Sequence, residues 1–167
     1  MKISYYLPEK ILDNAALAAS HPDWDVERLQ AKTGVVKRHI VSEDEDALDL
    51  AQRAADRLFD EYGIEKESID FVLLCTQSPK YVLPSSACLL QERLGLSQKV
   101  GALAFDHGCS GFIYGLSVAK GLIAGGIAKN VLFVTADAYS KYLCAEDKAC
   151  QPIFGDGAAA ILIDEVM

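Results

Sequence analysis

The sequence predicts an α/β fold: one domain over residues 1–167, layered α/β/α, on a mixed, mostly parallel sheet of about five strands. Three observations carry that prediction. Continuous apolar runs at residues 69–76, 101–105 and 131–136 have the length and composition of strands covered on both faces. Helical segments that end at or near glycines separate these runs. Hydrophobic residues make up 51% of 167 positions, enough for one sizeable core.

The elements follow in order. Residues 1–7 read as a short strand stopped by Pro8. Asp13-Asn14 caps a brief helix through Ala19, and a second helix over residues 25–32 is closed by Gly34. Residues 35–41 alternate loosely and read as a strand. The strongest helix runs from about Asp46 to Tyr62. Its Ala47, Leu50, Ala51, Ala54, Leu58, Phe59 and Tyr62 recur at i, i+3, i+4, i+7 spacing, and Gly63 stops it. Residues 69–76 form a buried strand. Pro84-Ser85-Ser86 opens a helix through about Leu94, ended by Gly95. Residues 101–105 form a second buried strand, followed by a helix from about Ser110 to Ala124. Residues 131–136 and 158–163 supply two more strands, the last after the Gly155-Asp156-Gly157 turn. Strand–helix–strand alternation of this kind implies parallel pairing with helices on both faces.

Charge narrows the possible functions. Sixteen Lys and Arg against 24 Asp and Glu leave a formal net charge of −8. That balance opposes binding to nucleic acid, which needs a basic face, and to an anionic membrane surface. No apolar run has the length of a membrane span, and residues 1–6 lack the apolar stretch of a secretory signal. The five cysteines are odd in number and form no CxxC pair. A disulfide framework or zinc site is not expected, no metal is assigned, and a cytoplasmic setting fits. Glu43-Asp44-Glu45-Asp46 reads as a solvated loop that places favourable charge at a helix start.

The chemistry concentrates in Phe105-Asp106-His107-Gly108-Cys109-Ser110-Gly111-Phe112. A buried strand ends there, a glycine-flanked turn follows, and Cys109 arrives where a helix begins. Free amides and the macrodipole at a helix start favour a thiolate and can stabilise an oxyanion. Read from the residues alone, Cys109 is either a nucleophile or a small residue filling a tight strand–helix junction. His107, only two residues away, reads as a packing or backbone-bonding side chain rather than the base. Cys75 falls inside an apolar strand and reads as core. Cys88, Cys144 and Cys150 default to surface or packing roles.

The segment from Ala104 through Cys109 to Leu116 resembles the nucleophile segment of β-ketoacyl-acyl-carrier-protein synthase III, a thiolase-superfamily condensing enzyme. Three further stretches agree in order and spacing: Tyr6-Leu7-Pro8-Glu9 with Asn14, Lys32-Thr33-Gly34-Val35 through Arg38-His39, and Phe154-Gly155-Asp156-Gly157-Ala158-Ala159-Ala160. Leu83-Pro84-Ser85 with Ala87-Cys88 is similar to the stretch that precedes the active-site strand.

The resemblance implies an N-terminal thiolase-like half carrying the nucleophile, with the family's catalytic His and Asn in a second half. It implies that Cys109 takes an acyl group from a coenzyme A thioester, which is a substrate and not a bound cofactor. The acyl-cysteine then condenses with malonyl-acyl carrier protein, with loss of carbon dioxide. It also implies a homodimer, and inactivity of this chain alone. Lys32 and Lys148 fall where the family commonly has arginines that contact the coenzyme A nucleotide. Trp24 corresponds to an adenine-stacking tryptophan or, read from the residues alone, is a partly buried anchor on the helix over residues 25–32, and Leu83 corresponds to a residue that limits the acyl pocket from the partner subunit. Two other readings stay open: a condensing-enzyme-like acyltransferase of specialised metabolism or cell-envelope acylation, and a non-catalytic partner subunit.

Overall fold

The first three helices start at aspartates, and two of them stop at glycines. The computed structural model describes residues 2–164. Strand β1 (Lys2–Tyr6) and the short β2 (Ile11–Asp13) lead into α1 (Asn14–Ser20) and α2 (Val26–Thr33). Asp13 accepts a hydrogen bond from the Ala16 amide at 2.7 Å, and Asp25 accepts from the Arg28 amide at 3.0 Å. Each is an N-cap satisfying an amide that has no partner within its helix. After β3 (Lys37–His39), α3 (Ala47–Tyr62) begins with a full capping box. The Asp46 carboxylate accepts from the Leu48 and Asp49 amides, while the Asp49 carboxylate accepts from the Asp46 amide. Gly34 and Gly63 end α2 and α3 in the left-handed region, at φ +71° and +58°.

The second part of the chain is β4 (Phe71–Cys75), α4 (Ser86–Arg93), β5 (Gly101–Phe105), α5 (Gly111–Ala124), β6 (Asn130–Asp137) and β7 (Gly157–Asp164). Five strands form one sheet in the order β1-β7-β6-β4-β5, and β2 pairs with β3 in a separate two-stranded sheet. Strand β4 is parallel to both neighbours, with Phe71 opposite Gly101 on one side and Val131 on the other. Strand β7 is antiparallel to β6 and to β1.

The sheet is therefore mixed, as expected, but its parallel character is confined to β6-β4-β5. The reason lies in the connections. Helices α4 and α5 carry the chain back to the start of the next strand. The segment between β6 and β7 holds only a one-turn 3₁₀ helix (Tyr139–Lys141), so the chain returns antiparallel. Strand β5 also departs from the buried strand expected for it: it is the sheet's edge, with Leu103 44% exposed.

Alternation along the strands feeds two cores. Val72, Leu74, Leu132 and Val134 face α3 and α4, packing with Leu50, Leu58 and Leu90. Leu73, Cys75, Val131 and Phe133 face the α5 side, with Ile161 and Ile163. Helix α5 approaches that face closely because its inner stripe is Gly111, Gly115 and Ala119. A Cβ on Gly115 would overlap the Phe133 ring, which is itself fully buried. Away from that stripe α5 exposes Ile113, Tyr114 and Val118, while Phe112 stacks on Phe133 with ring centroids 5.9 Å apart. No helix among the described residues is long and apolar enough to cross a membrane.

Candidate active site

Three parallel strands end at the same edge, and their last residues with the loops that follow build one polar group around Cys109. In open α/β sheets the crevice beyond the carboxyl ends of parallel strands is where ligands bind. From β6, one oxygen of Asp137 accepts from the Gln77 amide at 2.7 Å, the Ser78 hydroxyl at 3.0 Å and the Thr76 hydroxyl at 3.2 Å. The Ser78 hydroxyl in turn accepts from the Ala138 amide at 2.8 Å. These bonds lock the loop after β4 to the end of β6. Gln77 then lies against the Cys109 turn: a Cβ on Gly108 would stand 3.2 Å from the Gln77 Oε1.

The turn carrying Cys109 is tied at both ends. The Gly111 amide donates to the Gly108 carbonyl at 2.7 Å, and the Tyr114 amide to the Ser110 carbonyl at 3.1 Å. Underneath, the buried Cys75 thiol donates to the His107 carbonyl at 3.3 Å. Burial pushes the Cys75 thiol above its ordinary pKa, which keeps it the neutral donor this bond needs. A Cβ at Gly111 would overlap the Cys75 sulfur, so only glycine lets α5 start this close to β4.

Helix α5 begins at Gly111 with Ser110 as its cap, so Cys109 stands one residue before the cap and is exposed. His107 does not act on it here. Its Nδ1 meets the Asp106 carbonyl at 3.1 Å, and its ring packs edge-on against Tyr114 at 4.9 Å. The arrangement offers an exposed thiol at the dipole-positive end of a 14-residue helix, on a turn whose Gly108 lies against the Gln77 carboxamide. Gln77 and Asp137 were not singled out by sequence reasoning. The signal available was their position just past, or at the end of, an apolar strand run.

A second group lies at the start of α2. The buried Arg38 donates to the carbonyls of Leu12 and Pro152 and to Asn14 Oδ1 at 3.2, 2.6 and 2.8 Å. The buried Asp156 accepts from the Val41 and Ser140 amides, both at 2.8 Å. Together they fold the 138–156 segment over β2 and β3 and bring Lys148 into an ion pair with Asp23. Lys148 holds the Asp23 carboxyl below its ordinary value through that hydrogen bond. The result is a cavity of about 260 Å³ lined by Asp23, Trp24, Asp25, Arg28, Leu29, Lys32 and Lys148. Three of the residues singled out from the sequence, Trp24, Lys32 and Lys148, thus meet in one place. Trp24 is only 7% exposed and stacks on His21, with ring centroids 4.1 Å apart. Leu83 lies elsewhere, 82% exposed in the loop before α4 and beside the equally open Val82.

Known proteins match both the sequence and this fold. The profile of the 3-oxoacyl-(acyl-carrier-protein) synthase III family matches residues 105–166, the stretch that contains Cys109. A β-ketoacyl-(acyl-carrier-protein) synthase III of Sulfurovum is 41% identical over 165 residues, which is 96% of this chain and 47% of that protein. One from Vibrio parahaemolyticus is 42% identical over 160 residues, covering 95% of this chain and 49% of that protein. A crystal structure of a 3-oxoacyl-(acyl-carrier-protein) synthase III superposes with a TM-score of 0.93 at 51% identity, over 97% of this chain and 48% of the other. The synthase III structure from Thermus thermophilus gives 0.92 at 35% identity, over 98% and 50%. The chain spans about half the length of the curated relatives it matches. By sequence and by fold, the chain is similar to about half of a 3-oxoacyl-(acyl-carrier-protein) synthase III.

Proposed function

We propose that this chain supplies the nucleophile of a decarboxylative condensing enzyme. The Cys109 thiolate attacks the carbonyl of an acyl-coenzyme A primer, the thioester C–S bond breaks, and coenzyme A leaves as the free thiol. Amides at the start of α5 stabilise the oxyanion formed on the way. The acyl-cysteine is then attacked by the carbanion that malonyl-acyl carrier protein forms on losing carbon dioxide. Polarising that malonyl thioester falls to the family's His and Asn, which are not assigned to any residue of this chain. Condensation therefore needs the other half of the family's length, whereas acyl loading needs only this one. The exposed edge of β5 and the open loop at Leu83 support a working dimer.

The observation that carries this reading is the exposed Cys109 at the carboxyl end of β5, on a turn that Cys75 and Gly111 hold in place. The test is the stoichiometry of coenzyme A release from acetyl-coenzyme A by the 167-residue chain. One equivalent per chain, abolished by Cys109→Ala, is the expected result. Release that survives Cys109→Ala would remove the assignment.

A further inference from the structure

We propose that the Gln77 carboxamide determines which acyl group this site accepts, favouring a primer whose acyl chain bears a hydroxyl close to the thioester. This deepens the acyl-transfer reading above and rests on it. Gln77 is pinned through its backbone and free in its side chain. Its amide donates to Asp137 at 2.7 Å. Just before it, the Thr76 amide donates to the carbonyl of Phe105, the last residue of β5, at 3.2 Å. Just after it, the Ser78 hydroxyl donates to Asp137 at 3.0 Å. Thr76 and Ser78 are buried, whereas Gln77 between them is exposed. Its carboxamide makes no hydrogen bond among the described residues. Glycine at position 108 leaves room for it, since the three nearest neighbours of a Cβ there would all be Gln77 side-chain atoms. The carboxamide thus lies one residue from the nucleophile.

The ligand class follows from the chemistry of that group. Its neighbours His107, Cys75 and Asp137 are committed to bonds within the protein. An alkyl chain laid across an exposed carboxamide strips it of water and returns no hydrogen bond. A hydroxyl both donates and accepts, so it can meet either end of the amide. A carboxylate on the acyl chain is disfavoured, because Asp106 and Asp137 already place negative charge here. Next to burial, those charges also raise the Cys75 thiol.

The test follows acylation of the Cys109 peptide in the 167-residue chain by mass spectrometry. The donors are racemic 3-hydroxybutyryl-coenzyme A and butyryl-coenzyme A, which has the same carbon chain without the hydroxyl. The ratio of the first rate to the second should be about fivefold higher in wild type than in Gln77→Leu, which keeps the bulk and removes the hydrogen bond. Because each ratio is taken within one protein, a smaller folded fraction or a less reactive thiol in the variant cancels. The same ratio in both proteins, or a lower one in wild type, would overturn the proposal and leave acyl transfer standing. If neither thioester loads wild-type Cys109, the acyl-transfer reading fails and the proposal falls with it.

Discussion

The Cys75 thiol hydrogen-bonds the carbonyl of His107 at 3.3 Å, so the last residue of β4 holds the turn that carries Cys109. The same sulfur occupies the space that any side chain at position 111 would need. Position 111 and position 75 are therefore coupled. Gly111→Ala should destabilise the fold by about 1–3 kcal/mol, the usual cost of forcing a methyl into a packed site. In a Cys75→Ala background the added loss should be smaller, with a coupling above about 0.5 kcal/mol. Urea unfolding of the four proteins measures this, and strict additivity would show that the sulfur does not set the approach of α5.

Alkylation should separate the cysteines. Cys109 is exposed, whereas Cys75 is buried and its thiol is pushed up in pKa by that burial. Asp147, beside Cys150, likewise raises that thiol. Each unit of upward shift removes about tenfold of the reactive thiolate. Peptide-resolved iodoacetamide rates near pH 7.5 should rank Cys109 ahead of Cys150, with Cys75 slowest. Equal rates at Cys109 and Cys75 would contradict the placement of both.

The capping box of α3 makes stability depend on acid. Partial burial opposes the Asp46 charge. The Lys80 ammonium at 2.7 Å and the amides of Leu48 and Asp49 outweigh it, holding the carboxyl below its ordinary value. A carboxyl lowered in the folded state stabilises fully above its unfolded pKa, about 3.9, and loses that contribution as pH falls through the folded value. Asp46→Ala should cost about 1 kcal/mol at pH 7 as a lost cap. The gap between wild type and the variant, read from urea midpoints, should close below about pH 4. A gap that persists or widens in acid would give the opposite sign and refute the cap.

Helix α5 packs its small residues inward and leaves Ile113, Tyr114 and Val118 exposed. Exposed apolar side chains of this kind favour association. The 167-residue chain should therefore show a light-scattering mass that rises with concentration, and Ile113→Glu with Val118→Glu should suppress the rise. A constant monomer mass for the wild-type chain would count against it.

The local features of the fold were readable in the sequence because they are written in short range. Asp13, Asp25 and Asp46 as helix caps, and Gly34 and Gly63 as helix ends, each act within four residues. The edge position of β5 and the antiparallel β7 were not readable, because both depend on which strand finds which neighbour. Leu103 belongs to an apolar run in the sequence and yet stands exposed at an edge. In the candidate site, Cys109 stood out because glycines at 108 and 111 mark a tight junction. Gln77 did not, since its place beside Gly108 comes from the bond between its amide and Asp137, 60 residues away. The meeting of Trp24 and Lys148 likewise depends on the fold of the 138–156 segment. Resemblance alone singled out those two residues, and only the structure shows that the Trp24 ring is covered.

The central claim is that Cys109 becomes covalently acylated by a coenzyme A thioester, and locating the acyl group tests it most directly. The chain is incubated with acetyl-coenzyme A, quenched in acid and digested, and each cysteine peptide is weighed by mass spectrometry. The predicted result is a 42 Da gain (the mass of one acetyl group, about 42 Da, consistent with acyl loading of a nucleophilic cysteine) on the peptide containing Cys109. It should be reversed by hydroxylamine and absent from the peptides of Cys75, Cys88, Cys144 and Cys150. Acetyl groups spread over the exposed cysteines, or an unmodified Cys109 beside a modified Cys88, would contradict it.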